Sequence, residues 1–335
     1  MVLERVIQPK LLEQHFLYAA LLGAGHALIG LVLASFIFPQ NTGIVSIIFT
    51  SLLLAPSLTA LLREEEALEE QETSFSLQHL LRDNYPLLKA YTGIFVGVFA
   101  TYFLVAALLP ALGYSTFSLL REQLSPAIAG YATNQLSIFT SILANNWLVL
   151  VVTFLLALLV GDGAIFFVVW NASAWGAIFG YRAFAAAQVT ETGILLTAAT
   201  LLAIVLWHTL IEGGAYILAA LSGAAISEAV IKRSDELHRF LGYAALIITG
   251  YFALSLLTQP LATPTRLLIL IPALLGGLYV LAYAFTVQKH KEVFTYNYWL
   301  FILAILVFLA GAALETAVLT HSDALGRIYF AAALY

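Results

Sequence analysis

The sequence predicts an all-α membrane protein, a polytopic bundle of about nine transmembrane helices. Hydrophobic residues make up 62% of the 335 residues and charged residues only 10%. A typical soluble domain has about 25% charged residues. The mean hydropathy of +0.96 is correspondingly far above that of a soluble domain. This composition excludes a water-soluble globular enzyme and a disordered chain.

The numbers of basic, acidic and cysteine residues exclude further classes of function. Lys and Arg number 14 against 19 Asp and Glu and form no basic patch, so nucleic acid is not expected as a partner. The absence of cysteine excludes disulfides, thiolate metal ligands and cysteine nucleophiles. Because no enzyme motif is present either, we expect no catalytic residue, no cofactor and no metal ion. The lipid bilayer is the partner that the composition itself implies.

The spans are predicted from the length a helix needs to cross the apolar core, about 20 residues. The first, at 16–38, is too long for the apolar region of a signal peptide, about 7–15 residues, and is expected to be retained. The sixth, at 194–231, contains Gly213 and Gly214 and is either one long kinked helix or two half-length pieces. The nine predicted spans lie at 16–38, 43–62, 91–109, 136–160, 164–180, 194–231, 240–257, 267–287 and 299–318.

The distribution of basic residues predicts the orientation, because cytoplasmic loops carry an excess of Lys and Arg. With a cytoplasmic N-terminus and a single crossing at 194–231, ten of the 14 basic residues lie inside and the other four outside. Two crossings there would move Lys232, Arg233 and Arg239 outside and remove this asymmetry. We therefore expect a multi-pass protein of the cell membrane with its N-terminus in the cytoplasm.

These spans divide the chain into five segments, of which the second is polar. Glutamates crowd residues 64–72, which predicts a solvated cytoplasmic helix or linker at 63–90. Such a run is usually only a solvated face, although a membrane or cytoplasmic protein partner could bind it. The five segments are an N-terminal two-span hairpin (1–62), the acidic segment (63–90), a third span with an interfacial amphipathic stretch (91–135), central spans (136–232) and three C-terminal spans (233–335).

Ionisable residues inside spans are the first candidates for function, because lipid cannot satisfy a buried polar group. His208, Glu212 and Tyr216 are spaced i, i+4, i+8 and share one face of a helix. This pattern indicates a proton-linked or ion-binding site, or alternatively a buried His–Glu pair that only stabilises packing. Two candidate ligands do not make a zinc site.

The remaining intramembrane candidates are more scattered. Asp162 lies in a Gly-Asp-Gly break, where it either binds a cation beside freed carbonyl groups or simply ends a span at the interface. Glu315 lies near the end of the last span, where it could reach the lipid headgroups. The uncharged polar candidates are Asn145, Asn146, Asn171 and Ser173.

Small residues recur every four positions in two of the central spans, a pattern that lets helices approach closely in lipid. Such stripes serve packing within the bundle or an interface between subunits, for which a homodimer is the simplest expectation. The two stripes are Ala172, Gly176 and Gly180, and Ala215, Ala219, Gly223 and Ser227.

Three stretches of the central region carry a resemblance. The first is Ala144-Asn145-Asn146 followed by an apolar run into Gly161-Asp162-Gly163-Ala164, and the second is Trp170-Asn171-Ala172-Ser173 with Gly176 after it. The third is His208 with Glu212, then Ala215-Tyr216, Ser222-Gly223 and Ile226-Ser227. In order and spacing these stretches resemble the stage II sporulation protein M family. The Met-Val-Leu-Glu start and the acidic segment resemble its archaeal members.

The resemblance implies a role, because the bacterial namesake is a scaffold in a membrane complex with a peptidoglycan hydrolase and a second membrane protein. For this chain it implies a non-enzymatic scaffold or anchor in an envelope or membrane-remodelling complex. The residues themselves leave an alternative open, an ion- or proton-coupled transporter or channel that uses His208, Glu212 and the helix break at 161–163. An intramembrane protease or lipid-modifying enzyme is disfavoured because its motifs are missing.

Overall fold

A computed structural model describes residues 9–69, 76–109, 135–161, 165–227, 291–323 and 325–328. Within these ranges every regular element is an α-helix, which confirms the predicted all-α class. The helices are α1 (Pro9–Gln14), α2 (Phe16–Ile37), α3 (Thr42–Glu69), α4 (Leu77–Leu108), α5 (Gln135–Val160), α6 (Ile165–Thr190), α7 (Ile194–Ile226) and α8 (Lys291–His321).

Five helices of the described part are long and apolar enough to cross a membrane, so the chain is a multi-pass membrane protein. The predicted nine spans are not all found there. In α5 the described side chains include a shorter apolar stretch, Val149–Leu158, and α6 is not among the five. The predicted spans at 240–257 and 267–287 lie outside the described residues. The five qualifying segments are Phe16–Ile37, Thr42–Leu62, Gln78–Leu108, Ile194–Ile226 and Thr295–His321.

Helix α7 answers the question that the sequence left open at 194–231. It continues without interruption through Gly213 and Gly214, so the alternative of two half-length helices is wrong over the described length. Its 33 residues make a rod of about 50 Å, longer than the apolar core of a bilayer.

The predicted break at 161–163 coincides with a helix end. Helix α5 stops at Val160, and α6 begins at Ile165. Gly161 has a φ of 62°, the left-handed conformation that a residue without a Cβ adopts most easily. Asp162 and Gly163 lie outside the described residues.

Helix α4 is the centre of the packing, with α2 on one side and α6 on the other. Gly93 and Gly97 of α4 lie against the backbone of α2 at Phe16 and Ala20. Gly176 and Gly180 of α6 lie against the carbonyl oxygens of Phe99 and Phe103 in α4. Because these glycines have no side chain, the backbones of α2, α4 and α6 come into contact. This close packing helps to hold the helices together, since helices gain no hydrophobic energy from associating in lipid.

The second small-residue stripe lies on α7 and is buried throughout its length. Gly223 fits against Ala157 and the carbonyl oxygen of Phe154 in α5. Helix α8 also packs against α7. The hydroxyl of Ser222 in α7 donates to the backbone carbonyl of Asn297 in α8 at 2.6 Å. The glycines of both stripes thus lie at contacts between helices of one chain, and the homodimer stays a prediction.

Two glycines of α2 test this packing as a matched pair. A Cβ on Gly23 would lie 2.5 Å from the carbonyl oxygen of Ile94, whereas a Cβ on Gly25 would have nothing within 4 Å. We expect Gly23→Ala to lower the free energy of unfolding by about 1–3 kcal/mol, because α4 must move away. Gly25→Ala should be neutral or stabilising by up to about 1 kcal/mol, since alanine favours a helix. Thermal unfolding in detergent measures both, and equal effects would contradict the α2–α4 contact.

Candidate functional site

The intramembrane acids Glu212 and Glu315 meet in the interior of the bundle. Glu212 lies near the middle of α7, and a Cβ on Gly311 of α8 would lie only 2.7 Å from its Cγ atom. One helical turn beyond Gly311, the carboxyl group of Glu315 lies within hydrogen-bonding reach of that of Glu212. The missing side chain at Gly311 therefore permits the helix approach that brings the two carboxyl groups together.

A third helix contributes an amide to this pair. The Nδ2 atom of Asn146 in α5 donates to Oε2 of Glu315 at 3.4 Å, and the same side chain lies within hydrogen-bonding reach of Glu212. Asn146 and Glu315 are separated by 169 positions in the chain. We call Asn146, Glu212 and Glu315 the carboxyl cluster, in which α5, α7 and α8 each supply one polar side chain.

The face of α7 that carries Glu212 holds buried polar atoms without partners. His208, Glu212 and Tyr216 are 5%, 3% and 2% exposed. Within the described ranges, Nδ1 of His208, Oε1 of Glu212 and the hydroxyl of Tyr216 have no hydrogen-bond partner. Each buried polar atom without a partner lowers the free energy of unfolding by about 1–3 kcal/mol. Three such atoms on one helix face therefore favour a site that binds a proton, an ion or water. They disfavour a row of side chains that serves packing alone.

Another buried tyrosine, in contrast to Tyr216, has hydrogen-bond partners. The hydroxyl of Tyr102 in α4 lies 2.9 Å from the Ser46 hydroxyl of α3, and Thr50 is also hydrogen-bonded to it. Tyr102 is as completely buried as Tyr216, yet its polar atom is satisfied by neighbouring helices. This bundle therefore does provide partners for a purely structural tyrosine, which sets Tyr216 apart.

Aromatic side chains form the wall beside the α7 face. The ring centroid of Trp175 in α6 lies 5.8 Å from that of Tyr216, and Phe95 of α4 packs edge-on against Trp175 at 5.9 Å. The Phe95 ring approaches the backbone because Gly213 lacks a Cβ, which would otherwise lie 2.9 Å from it. An apolar wall of this kind lowers the local dielectric constant along the α7 face that carries Tyr216.

The sequence of the surrounding helices provides little positive charge to balance the acids. Helix α5 contains no charged residue, and neither does α4 between residues 90 and 108. In α8, Glu315 is the one Asp, Glu, Lys or Arg of the segment 295–321. The basic residue of α6 is Arg182, which follows Trp175 by about 10 Å along the helix.

The structure brings four of the predicted polar candidates together, namely Asn146, Glu212, Tyr216 and Glu315. His208 lies one turn from Glu212 on α7. The expectation that Glu315 reaches the lipid headgroups is wrong. Helix α8 continues to His321, and its register at Gly311 turns Glu315, which is partly buried, towards Glu212.

Other predicted candidates lie apart from the carboxyl cluster. The Asn171 amide donates to the carbonyl of Phe167 at 2.8 Å, and the Ser173 hydroxyl donates to that of Val169 at 2.6 Å. Both side chains are therefore hydrogen-bonded to the backbone of their own helix, α6. The side chain of Asn145 and the whole of Asp162 lie outside the described residues.

Sequence reasoning missed the residues that shape the site, namely Gly311, Phe95 and Trp175. The spacing of Gly311 and Glu315, one turn apart, was a usable signal, because a small residue beside an intramembrane acid allows another helix to approach it. Nothing in the sequence pairs Phe95 or Trp175 with α7. Among the described side chains, no group of three or more His, Asp or Glu residues could hold a metal ion.

Comparison with known proteins places the chain in a family. A family model described as Stage II sporulation protein M matches residues 93–264, about half of the chain. The matched region includes Asn146 and the α7 face, whereas Glu315 lies beyond it. No curated protein and no solved structure matches the sequence. The archaeal likeness stays a prediction, but the extent of the match shows that the chain belongs to the stage II sporulation protein M family.

Proposed function

We propose that this protein is an ion-coupled membrane transporter or channel whose ion site is the carboxyl cluster. The observation that carries the proposal is the contact of Glu212 with Glu315 inside the bundle, with Asn146 as a shared amide partner. Acids that face the interior of a helical bundle mark ion pathways and proton relays. His208 and Tyr216, one turn to either side of Glu212, extend the polar face along α7.

Energetics favour a functional role for these acids over a packing role. Replacing a buried ionic or polar group by well-packed apolar residues of similar volume is often neutral or stabilising. A bundle selected only for stability would therefore gain nothing from two carboxyl groups at the α7–α8 contact. Their presence, together with the unpartnered Oε1 of Glu212, supports a site that exchanges an ion.

Ion flux in proteoliposomes tests this function. We expect pH- and cation-sensitive dyes to report flux with the wild-type protein and none with Glu212→Gln, because the amide cannot take up and release an ion as the carboxyl group does. Glu191→Gln is the matched control, since Glu191 is exposed in the turn between α6 and α7. Unchanged flux in the Glu212→Gln protein would contradict the assignment of the site.

A scaffold or anchor role in a membrane complex is the second candidate, supported by family membership and by one feature of α3. The apolar part of α3 ends at Leu62, but the helix continues to Glu69 and carries Glu64, Glu65 and Glu66. Seven residues extend a helix by about 10 Å. Because the acidic extension is continuous with a span, a basic cytoplasmic or membrane partner bound there would be held rigidly to the bundle.

Native gel electrophoresis of mildly solubilised host membranes tests the scaffold role. We expect the wild-type chain to migrate with a stoichiometric second protein, and the combined Glu64→Gln, Glu65→Gln and Glu66→Gln variant to lose it, because the acidic charge is removed. The Glu191→Gln variant should retain the complex. Migration of the wild-type chain alone or as a homo-oligomer would contradict this role.

For the topology we propose nine crossings in the cell membrane with a cytoplasmic N-terminus. Since the chain has no cysteine, single introduced thiols report on sidedness without background. Gln40 is exposed just before α3 begins, and Gln78 is exposed in the first turn of α4, so α3 lies between them in the chain. An impermeant thiol reagent added to intact cells should label Gln40→Cys, whereas Gln78→Cys should need permeabilised cells. The reverse pattern would invert the orientation, and outside labelling of Arg233→Cys, beyond the described residues, would contradict the crossing number.

A further inference from the structure

We infer that Glu212 and Glu315 hold a single proton between them and that this proton is the ion taken up by the carboxyl cluster. The inference names the substrate of the site, so its transport part rests on the proposed function. The shared proton itself stands on the geometry of α5, α7 and α8.

The contact between the two carboxyl groups requires a donor. An ionised carboxylate only accepts hydrogen bonds, so two ionised groups cannot bond to each other. Glu212 and Glu315 lie within hydrogen-bonding reach of each other where α8 approaches α7 at Gly311, and an O–H on one of them makes this contact favourable. The amide of Asn146 donates to Oε2 of Glu315 and also lies beside Glu212, so it stabilises one negative charge shared by the pair. The arrangement therefore fits one proton and one negative charge.

Electrostatic repulsion leads to the same charge state. Two unit charges 4 Å apart interact by about 4 kcal/mol even at an effective dielectric constant of 20. Among the described residues, the polar groups near the pair are Tyr216 of α7 and Asn146 of α5, with His208 one turn away on α7. Trp175 of α6 packs against Tyr216, and Phe95 of α4 packs against Gly213. None of these side chains is a lysine or arginine. The spanning part of α3, residues 42–62, contains no charged residue either.

The polar atoms around the pair suit a proton better than a metal cation. Calcium and magnesium take six or more oxygen ligands, and the described cluster offers two carboxyl groups and an amide. The unpartnered His208 Nδ1 and Tyr216 hydroxyl can each exchange a proton through a hydrogen bond. They lie about 6 Å along the helix axis on either side of Glu212. This spacing fits transfer along the α7 face through single water molecules.

Infrared difference spectroscopy of the full-length protein in lipid vesicles tests the shared proton. We expect the C=O stretching band of a protonated carboxyl group at neutral pH and its loss at alkaline pH. Each of Glu212→Gln and Glu315→Gln should remove or shift the band, because the partner changes from a carboxyl group to an amide. The double variant should lack it, and Glu191→Gln should keep it. Absence of the band in the wild type, an unchanged band in either single variant, or its survival in the double variant would overturn the inference.

A second measurement uses the wild-type protein and does not depend on folding of the variants. A hydrophobic carbodiimide reacts with protonated carboxyl groups in membranes, so mass spectrometry should find its adduct on Glu212 or Glu315 at neutral pH. Protection by sodium or potassium at constant pH would show an alkali cation at the site and would overturn the proton as the ion.

The outcomes separate this inference from the proposed function. A shared-proton band without flux in proteoliposomes would leave the proton site in place and remove its transport role. Flux that Glu212→Gln abolishes, in a protein without the band, would keep the transport function and overturn the proton as its ion.

Discussion

The close approach of α8 to α7 at Gly311 is the contact on which the candidate site depends. Lipid tails are as apolar as the helices they surround, so helices associate in a membrane through close packing and hydrogen bonds. At Gly311 both act together, because the absent side chain makes room for Glu212 and the next turn delivers Glu315 to it. With Asn146 as a third partner, α5 joins the same point. The carboxyl cluster is thus a polar junction of three helices near the middle of α7.

Glycines serve two different purposes in this bundle. Around α4 they let backbones touch, as Gly176 and Gly180 do against Phe99 and Phe103. At Gly213 and Gly311 they make room for a side chain, the Phe95 ring in one case and Glu212 in the other. The first kind builds a firm packing of α2, α4 and α6, and the second shapes the surroundings of Glu212. One part of the bundle is therefore closely packed, and another part holds a polar face with unpartnered atoms. This arrangement is expected when a stable set of helices carries a functional site.

Much of this architecture could be predicted from the sequence, and the limits have physical causes. Hydropathy finds α2, α3, α4, α7 and α8, and the helical period alone places His208, Glu212 and Tyr216 on one face. The span predicted at 164–180 covers the apolar part of α6, but Asn171 and Arg182 lower the hydropathy of the whole helix, most of whose residues face other helices. Hydropathy measures how well a helix tolerates lipid, whereas α6 is surrounded largely by protein. The meeting of Asn146, Glu212 and Glu315 depends on the register of three helices far apart in the chain, which local spacing does not encode.

Disulfide formation between introduced cysteines measures the α7–α8 register directly, because the chain has no thiol of its own. Glu212→Cys with Gly311→Cys should form a disulfide on mild oxidation in native membranes, detected by mass spectrometry of the joined peptides. Gly214→Cys with Gly311→Cys is the control and should remain reduced, since a Cβ on Gly214 would have nothing within 4 Å. A disulfide in the control pair but not in the test pair would place Glu212 away from α8 and contradict the carboxyl cluster.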